Sequence, residues 1–354
     1  MPYTLWFDRA GKEALALVGG KNSSLGELIR AGIPVPPGFS VTTEAYLDFF
    51  AGTLKENVEA LLHKIDPKDI AALEEASKKI KQLMIETPFN KKFQEEIKSN
   101  YQALSSVFDT PDLPVAVRSS ATAEDLPGAS FAGQQDTFLW VQGIDDVLVK
   151  IKECMASLFS PRAIAYRLKM GFPHEKVHIS VGVQKIVDAR AAGVMFTINP
   201  LNGDPSKVVI EGNWGLGESV VAGLCNPDKF VVDKVTMTLN KEIAIKETEC
   251  VFDSRKREVV HADISPDRRE IPCIEDEEAL ELARYAKKIE AYYGCPQDTE
   301  WTIDRHKPFP FNIFLVQSRP ETVWSQKRKE PLLGKKSVYE LLMEKALSTV
   351  KISS

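Results

Sequence analysis

The 354-residue chain contains no uninterrupted apolar stretch of about 18 residues, the length a helix needs to cross a bilayer. Its opening residues, Met1-Pro2-Tyr3-Thr4-Leu5-Trp6-Phe7-Asp8-Arg9, lack the basic segment and long apolar core of a secretory signal. No membrane association is therefore expected, and a cytoplasmic location is. No two of the five cysteines (Cys154, Cys225, Cys250, Cys273, Cys295) form a C-x-x-C pair, so they read as core-filling thiols. Of the five histidines, only His174 and His178 are four apart, and that pair runs past Pro173 into strand-like Val177–Val181. No helical metal face results, and no zinc site stands out. Lys plus Arg (45) against Asp plus Glu (50) leaves a net charge of −5, which offers no basic excess for a nucleic-acid backbone.

What is present is an ordinary soluble balance, with 44% hydrophobic and 27% charged residues. A chain this long builds about two domains and a large core without staples. Residues 1–40 read as a short strand, a glycine-rich turn (Val18–Ser24), a helix from near Leu25 to Gly32, and a Pro-rich exit. Residues 43–107 have a helical pattern with Lys/Glu faces. A short apolar strand, Leu113–Arg118, precedes a small-residue loop (Ser119–Gln135) and a strand (Thr137–Val141). Ile144–Met170 is helical, interrupted at Ser160-Pro161 and closed by Gly171. Strands follow at 177–186, 192–198, 207–211, 230–235 and 239–245, then a helix (Asp276–Tyr293) ended by Gly294. Two last strands cover 298–304 and 311–317. The irregular spacing excludes a doubly wound sheet and indicates an α+β class. Beyond Trp324 come a basic linker (325–329) and an amphipathic helix from about 337 to 350.

Five segments carry chemistry. Gly19-Gly20-Lys21-Asn22-Ser23-Ser24 places a lysine ahead of a helix, where backbone amides attract phosphate; it is not a Walker A loop, and a plain glycine turn is the competing reading. Val117-Arg118-Ser119-Ser120 delivers an arginine at a strand end, either to a ligand or to Glu124 or Asp125. Pro127–Thr137 is a loop of small residues that lets backbone approach a polyphosphate closely, with Phe131 as a seal. Gly212-Asn213-Trp214-Gly215-Leu216-Gly217-Glu218 is a glycine turn rather than a dinucleotide fingerprint. In Glu300-Trp301-Thr302-Ile303, alternation puts Glu300 and Thr302 on one face and Trp301 and Ile303 on the other. The same alternation groups Gln317 with Arg319. Adjacent strands then offer Glu300 and Gln317 oxygens to Mg²⁺ and Arg319 to a phosphate.

In order and together, these segments resemble the ATP-binding region of the phosphoenolpyruvate synthase and pyruvate phosphate dikinase family. The matching pieces are Gly19–Leu28, Val117–Asp125, Pro127–Leu139, Gly215–Gly223 with Pro227-Asp228, Asp298–Trp301 and Val316–Pro320, within residues 5–324. The resemblance implies an ATP-grasp fold of two α+β lobes clamping the nucleotide. Its lobes would be residues 1–190, with the helical segment 43–107, and 191–324, followed by the tail 325–354. It implies ATP and Mg²⁺ (or Mn²⁺) as ligands. Lys21, Arg118 and Arg319 would hold phosphates, covered by a loop that includes Gly133, Gln134, Asp136 and Thr137. Gln184 would meet adenine and Glu211 the ribose; Glu300 and Gln317 would bind the metal.

The family relays phosphate through a histidine in a T-x-H-A-type context, and none of the five histidines has that context. The expectation is therefore one subunit of a split dikinase-type phosphotransferase, like the β subunit of phenylphosphate synthase. ATP would yield AMP and phosphate, and a histidine-bearing partner would pass the phosphoryl group to phenol. The alternatives are an excised ATP-binding domain of a phosphoenolpyruvate synthase or rifampin phosphotransferase, and a non-catalytic nucleotide-sensing module.

Overall fold

The computed structural model describes residues 2–63, 65–122, 136–173 and 177–324. Gly133, Gln134, Phe131, His174, the linker 325–329 and the expected tail helix lie outside these residues. Up to the first sheet crossing, the order is β1 (Thr4–Trp6), α1 (Leu15–Arg30), β2 (Gly38–Val41), α2 (Thr43–Phe49), α3 (Thr53–Leu62), α4 (Ile70–Glu86), α5 (Lys91–Val107), β3 (Val115–Ala121), β4 (Thr137–Val141), α6 (Ile144–Ala156), α7 (Pro161–Met170) and β5 (Ile179–Lys185). Then come β6 (Ala189–Phe196), β7 (Lys207–Trp214), α8 (Glu218–Val221), β8 (Asp228–Asp233), β9 (Leu239–Glu242), β10 (Thr248–Asp253), β11 (Glu258–Asp263), α9 (Asp276–Tyr293), β12 (Gln297–Asp304) and β13 (Ile313–Pro320).

Among the described residues the strands form a five-stranded sheet, β1-β2-β5-β3-β4, a six-stranded sheet, β13-β12-β6-β7-β8-β9, and the hairpin β10-β11. All neighbouring pairs in both sheets are antiparallel. Segregated helices on antiparallel sheets make this a mixed α/β protein of the α+β kind. The chain passes from one sheet to the other in the three residues between Lys185 and Ala189.

The helices expected over 43–107 are α2 to α5; α2 and α5, with α6, pack on the five-stranded sheet, and α3 and α4 pack on other helices. Phe93, Ile97, Tyr101 and Leu104 recur at helical spacing along α5 and pack with Val115, Val117, Val181 and Val183 of the strands. Each such buried side chain contributes about 1.5–3 kcal/mol relative to exposure. The helix starts follow from their caps: Asn90 Oδ1 accepts from Phe93 N at 2.8 Å and Asp69 Oδ1 from Ala72 N at 3.0 Å. Ser160 accepts from Ala163 N, with Pro161 at the first helical position, where its missing N–H costs nothing.

The six-stranded sheet packs Met195, Ile210, Phe230 and Trp301 against Leu282, Ala286 and Ile289 of α9. Leu25 and Leu28 of α1 join this second core, so the first helix serves the sheet formed last in the sequence. Glu275 and Glu278 close a capping box at the start of α9.

Three features differ from the sequence expectation. Helical structure resumes at Gly20 after a break at Gly19 (φ 72°, ψ 171°), so Lys21 lies in the first turn of a helix rather than in a turn that ends near Leu25. The Pro-rich exit leads into β2, whose short, unbroken buried run carries no alternation. The hairpin β10-β11 was not anticipated, because most of its residues are partly exposed on both faces. Past Pro320 a separate unit begins; its described residues form a turn in which Glu321 Oε1 accepts from the N–H groups of Val323 and Trp324.

Candidate active site

Alternation along β3 sends Val115 and Val117 into the helical core and turns Ala116 and Arg118 the other way. There they line a cavity of about 950 Å³, whose opposite wall comes from β12 and β13 of the other sheet. Arg118 crosses it. Its Nη2 donates to Glu300 Oε2 at 3.0 Å and to Gln317 Oε1 at 3.3 Å, and its Nη1 to the Val316 carbonyl at 3.0 Å. The alternative partners Glu124 and Asp125 lie outside the described residues.

A β-bulge makes this convergence possible. Thr302 and Trp301 pair with Phe314 and Leu315, but Glu300 pairs with Gln317, so Val316 is an extra residue on β13. Its carbonyl is left out of the ladder and is the one Arg118 takes. Strict alternation from Leu315, which is in the core, would have carried Gln317 and Arg319 into the core as well. The bulge shifts them to the face of Glu300. On that face Asp298 pairs with Arg319, whose Nε donates to Asp298 Oδ2 at 2.8 Å.

Lys21 reaches the cavity because of Gly19. A Cβ there would collide with the Ser120 carbonyl and hydroxyl, and the positive φ suits glycine. The neighbouring Asn22 locks the turn: its N–H donates to Ser120 Oγ at 3.3 Å and its Nδ2 to Ser180 Oγ at 3.1 Å. Gly182 leaves room for the Asn22 amide, which a Cβ would strike. Lys21, Ser23 and Ser24 thus line the cavity beside Gln317, Ser318 and Arg319.

Away from these charges the lining becomes apolar, with Leu139, Ile186, Val187, Ala192, Leu216 and Val221. Gln184 lies in this wall, with its Nε2 donated to the Pro36 carbonyl at 3.1 Å. Asp136 and Thr137 line the cavity where the loop rejoins β4. Glu211 is not brought to it. Register places Glu211 across from Val194, and Val194 across from Glu300, so it shares their face but stands two strands away. At about 4.8 Å per strand, that is roughly 10 Å from Glu300. Glu218, at the end of the glycine turn, lines the cavity instead.

Burial acts on three of the lining groups, and it raises the Tyr293 hydroxyl above the usual tyrosine range. It raises the Asp136 carboxyl above the usual aspartate range, and it lowers the Lys185 ammonium, whose Nζ donates to the Ile186 carbonyl at 3.1 Å. Two of the lining arginines are matched by carboxylates, Arg118 by Glu300 and Arg319 by Asp298.

Among the described residues no cluster of three or more His, Cys, Asp or Glu side chains is placed to hold a metal. Glu300 and Gln317 nevertheless supply a carboxylate and an amide oxygen from directly paired positions, and both oxygens converge on one guanidinium nitrogen. A hard cation that takes one or two protein oxygens and completes its shell with water and phosphate fits that donor set. The Arg118 Nε is buried without a hydrogen-bond partner, an electropositive site next to the same oxygens.

Sequence reasoning missed Asp298, Glu218 and the Val316 carbonyl. Asp298 was legible, since it is two residues before Glu300 and alternation gives them one face. Glu218 depended on how the glycine turn folds, and the carbonyl depended on the bulge.

Residues 15–338 match the family model described as the pyruvate phosphate dikinase AMP/ATP-binding domain. A probable phosphoenolpyruvate synthase of Staphylothermus marinus is 46% identical over 361 residues, covering 95% of this chain and 43% of the relative. The phosphoenolpyruvate synthase of Escherichia coli K12 is 42% identical over 344 residues, covering 92% and 42%. A probable phosphoenolpyruvate synthase of Methanocaldococcus jannaschii is 42% identical over 332 residues, covering 93% and 27%. The chain therefore spans less than half the length of these relatives. Among the described residues no helix is long and apolar enough to cross a membrane.

Proposed function

The chain belongs to the pyruvate phosphate dikinase AMP/ATP-binding family, and from that premise we propose that it is the ATP-binding, phosphoryl-donating part of a dikinase-type phosphotransferase. The apolar end of the cavity would take adenine beside Gln184 and the strand that follows it, as in the ATP-grasp arrangement. The charged end would take the polyphosphate between Lys21, Arg118 and Arg319. The observation that carries this reading is the convergence of Arg118, Glu300 and Gln317 from two sheets on one point of the cavity.

Glu300 and Gln317 would hold Mg²⁺ or Mn²⁺, which when bound neutralises charge on the phosphoryl group. The chain's own residues supply position and charge, the two things phosphoryl transfer needs most. Arg118 orients the Glu300 carboxylate and the Gln317 amide, and is itself held by the Val316 carbonyl. Arg319, steadied by Asp298, binds a terminal phosphate. Asp136 and Thr137, in the cavity wall, would lie beside the polyphosphate.

Among the described residues no histidine lines the cavity, so the acceptor histidine comes from another stretch of polypeptide or from a partner subunit. With one water consumed, ATP would be split to AMP and phosphate: the β-phosphoryl group passes to that histidine, AMP leaves, and the γ-phosphoryl group goes to water. The names of the relatives favour pyruvate as the final acceptor. Phenol, passed the phosphoryl group by a histidine-bearing partner of the phenylphosphate synthase kind, is the second candidate and was the expectation from the sequence.

The test is native co-purification followed by incubation with Mg²⁺ and ATP labelled in the β-phosphate. Label on a histidine, with AMP released in equal amount, is the expected result. Pyruvate and phenol are then added separately, and the one that discharges the label is the acceptor. ATP binding without labelling of any histidine would overturn the transfer role.

A further inference from the structure

The charged end of the cavity contains another cation. Lys12 lines it together with Lys21, Ser24 and Arg319. Its main-chain N–H donates to Glu27 Oε1 at 3.0 Å, which fixes the backbone at the rim. Its ammonium lies over two aromatic faces, 5.3 Å from the ring centroid of Tyr293 and 5.9 Å from that of Tyr292. Tyr293 belongs to the same wall: its hydroxyl is 3.5 Å from Ser24 Oγ, and Ser24 Oγ donates at 2.5 Å to the Ser318 carbonyl, next to Arg319. The aromatic rings thus hold Lys12 at the strand end that presents Arg319.

The carboxylate nearest Lys12 is already engaged. Glu27 accepts from Tyr292 OH at 2.9 Å and from Arg30 Nη1 at 3.2 Å, while its Oε2 is 3.8 Å from Lys12 Nζ, beyond hydrogen-bonding range. Among the described residues the Lys12 ammonium donates no hydrogen bond, and its side chain is 66% exposed. Arg118 and Arg319, in contrast, are each hydrogen-bonded to a carboxylate, Glu300 and Asp298, whereas Lys12, among the described residues, keeps only its long ion pair with Glu27. A polyphosphate therefore meets in Lys12 a charge with all three donors available on a long flexible stem.

Resting on the reading of the cavity as a triphosphate site, we propose that Lys12 leaves the tyrosine faces to bind the terminal phosphates of ATP, and that it sets the preference for a nucleoside triphosphate over a monophosphate. The weak cation–π contact is exchanged for a charge-assisted one. Calorimetric titration of the full chain with ATP and with AMP, in Mg²⁺, tests this for Lys12→Met and Lys12→Arg. Lys12→Met weakens ATP about tenfold, the usual scale of one charged hydrogen bond, and leaves AMP within about twofold; Lys12→Arg restores most of the ATP affinity. Equal loss for both nucleotides, or no loss for either, overturns the role of Lys12 while the ATP reading stands. If the unsubstituted chain binds neither nucleotide, both fall. Circular dichroism of each variant shows whether the fold is kept.

Discussion

Arg118 and Glu300, 182 residues apart on different sheets, form an ion pair at 3.0 Å in which each side chain is only 18% exposed. A cation entering beside Glu300 competes with this guanidinium for the same carboxylate. A cation-bound form of the site would therefore differ from the unbound one in where that one negative charge is directed.

Glu300→Ala is expected to keep the fold and to remove the Mg²⁺-dependent part of ATP affinity. The loss should be about ten- to a hundredfold, since interactions with a charged partner contribute about 1.5–3 kcal/mol. Titrations with and without Mg²⁺ check it; a metal increment as large as that of the unsubstituted chain would remove Glu300 from the metal site. Arg319→Ala should leave that increment in place and abolish phosphoryl transfer to histidine.

Gly19→Ala should destabilise the protein and disturb Lys21 together. The backbone there (φ 72°, ψ 171°) is in a region occupied almost only by glycine, a strain of about 1–3 kcal/mol for other residues. The added Cβ also meets Ser120. Urea unfolding should show a lowered midpoint with an unchanged slope, and ATP affinity should fall with it. An unchanged midpoint would mean that the kink relaxes freely.

The Lys246–Asp228 pair is fully buried, with Nζ and Oδ1 2.6 Å apart. Asp228 also accepts from Ala244 N at 2.9 Å and from Cys273 N at 2.8 Å, whereas among the described residues the Lys246 ammonium has in addition only the Ala244 carbonyl at 3.1 Å. Asp228→Ala strands a buried ammonium and two N–H donors, and should cost about 3–5 kcal/mol. Lys246→Met leaves a carboxylate that still has two donors, and should cost less. Urea midpoints of the two variants in the reverse order would refute this account.

Asp136 sets a pH dependence with a definite sign. Burial raises its folded-state pKa above the unfolded value, so between the two values the folded chain binds more protons than the unfolded one. Stability from this group therefore falls as pH rises through that window. Asp136→Asn should flatten the dependence and unfold at higher urea than the unsubstituted chain at pH 7. Parallel curves for the two proteins would show that Asp136 is not the group responsible.

Much of this was legible in advance. The helices from 43 to 107 follow from apolar spacing and caps, and α9 has the bounds its capping box and Gly294 indicate. Lys21, Arg118, Glu300, Gln317 and Arg319 all face one cavity. What was not legible depends on tertiary contact. No local pattern shows that Glu211 would stop two strands short of Glu300, because strand order is set by packing across the sheet. The helix expected at Leu25 starts at Gly20 because Asn22 finds Ser120 and Ser180, which lie 98 and 158 residues away in sequence. Lys12 gave no signal, since its importance comes from two tyrosines at the end of a distant helix.

The extra residue at Val316 makes the length of β13 a matter of chemistry as well as packing. Because side-chain direction has a period of two, pairing β13 without the bulge, with Val316 opposite Glu300, would turn every later side chain to the other face. Arg319 and Gln317 would then lie beneath the sheet among Trp301 and Leu315, and Ser318 would face the nucleotide. The same strand would persist with the same composition, and the cavity would lose the Gln317 amide and the Arg319 guanidinium.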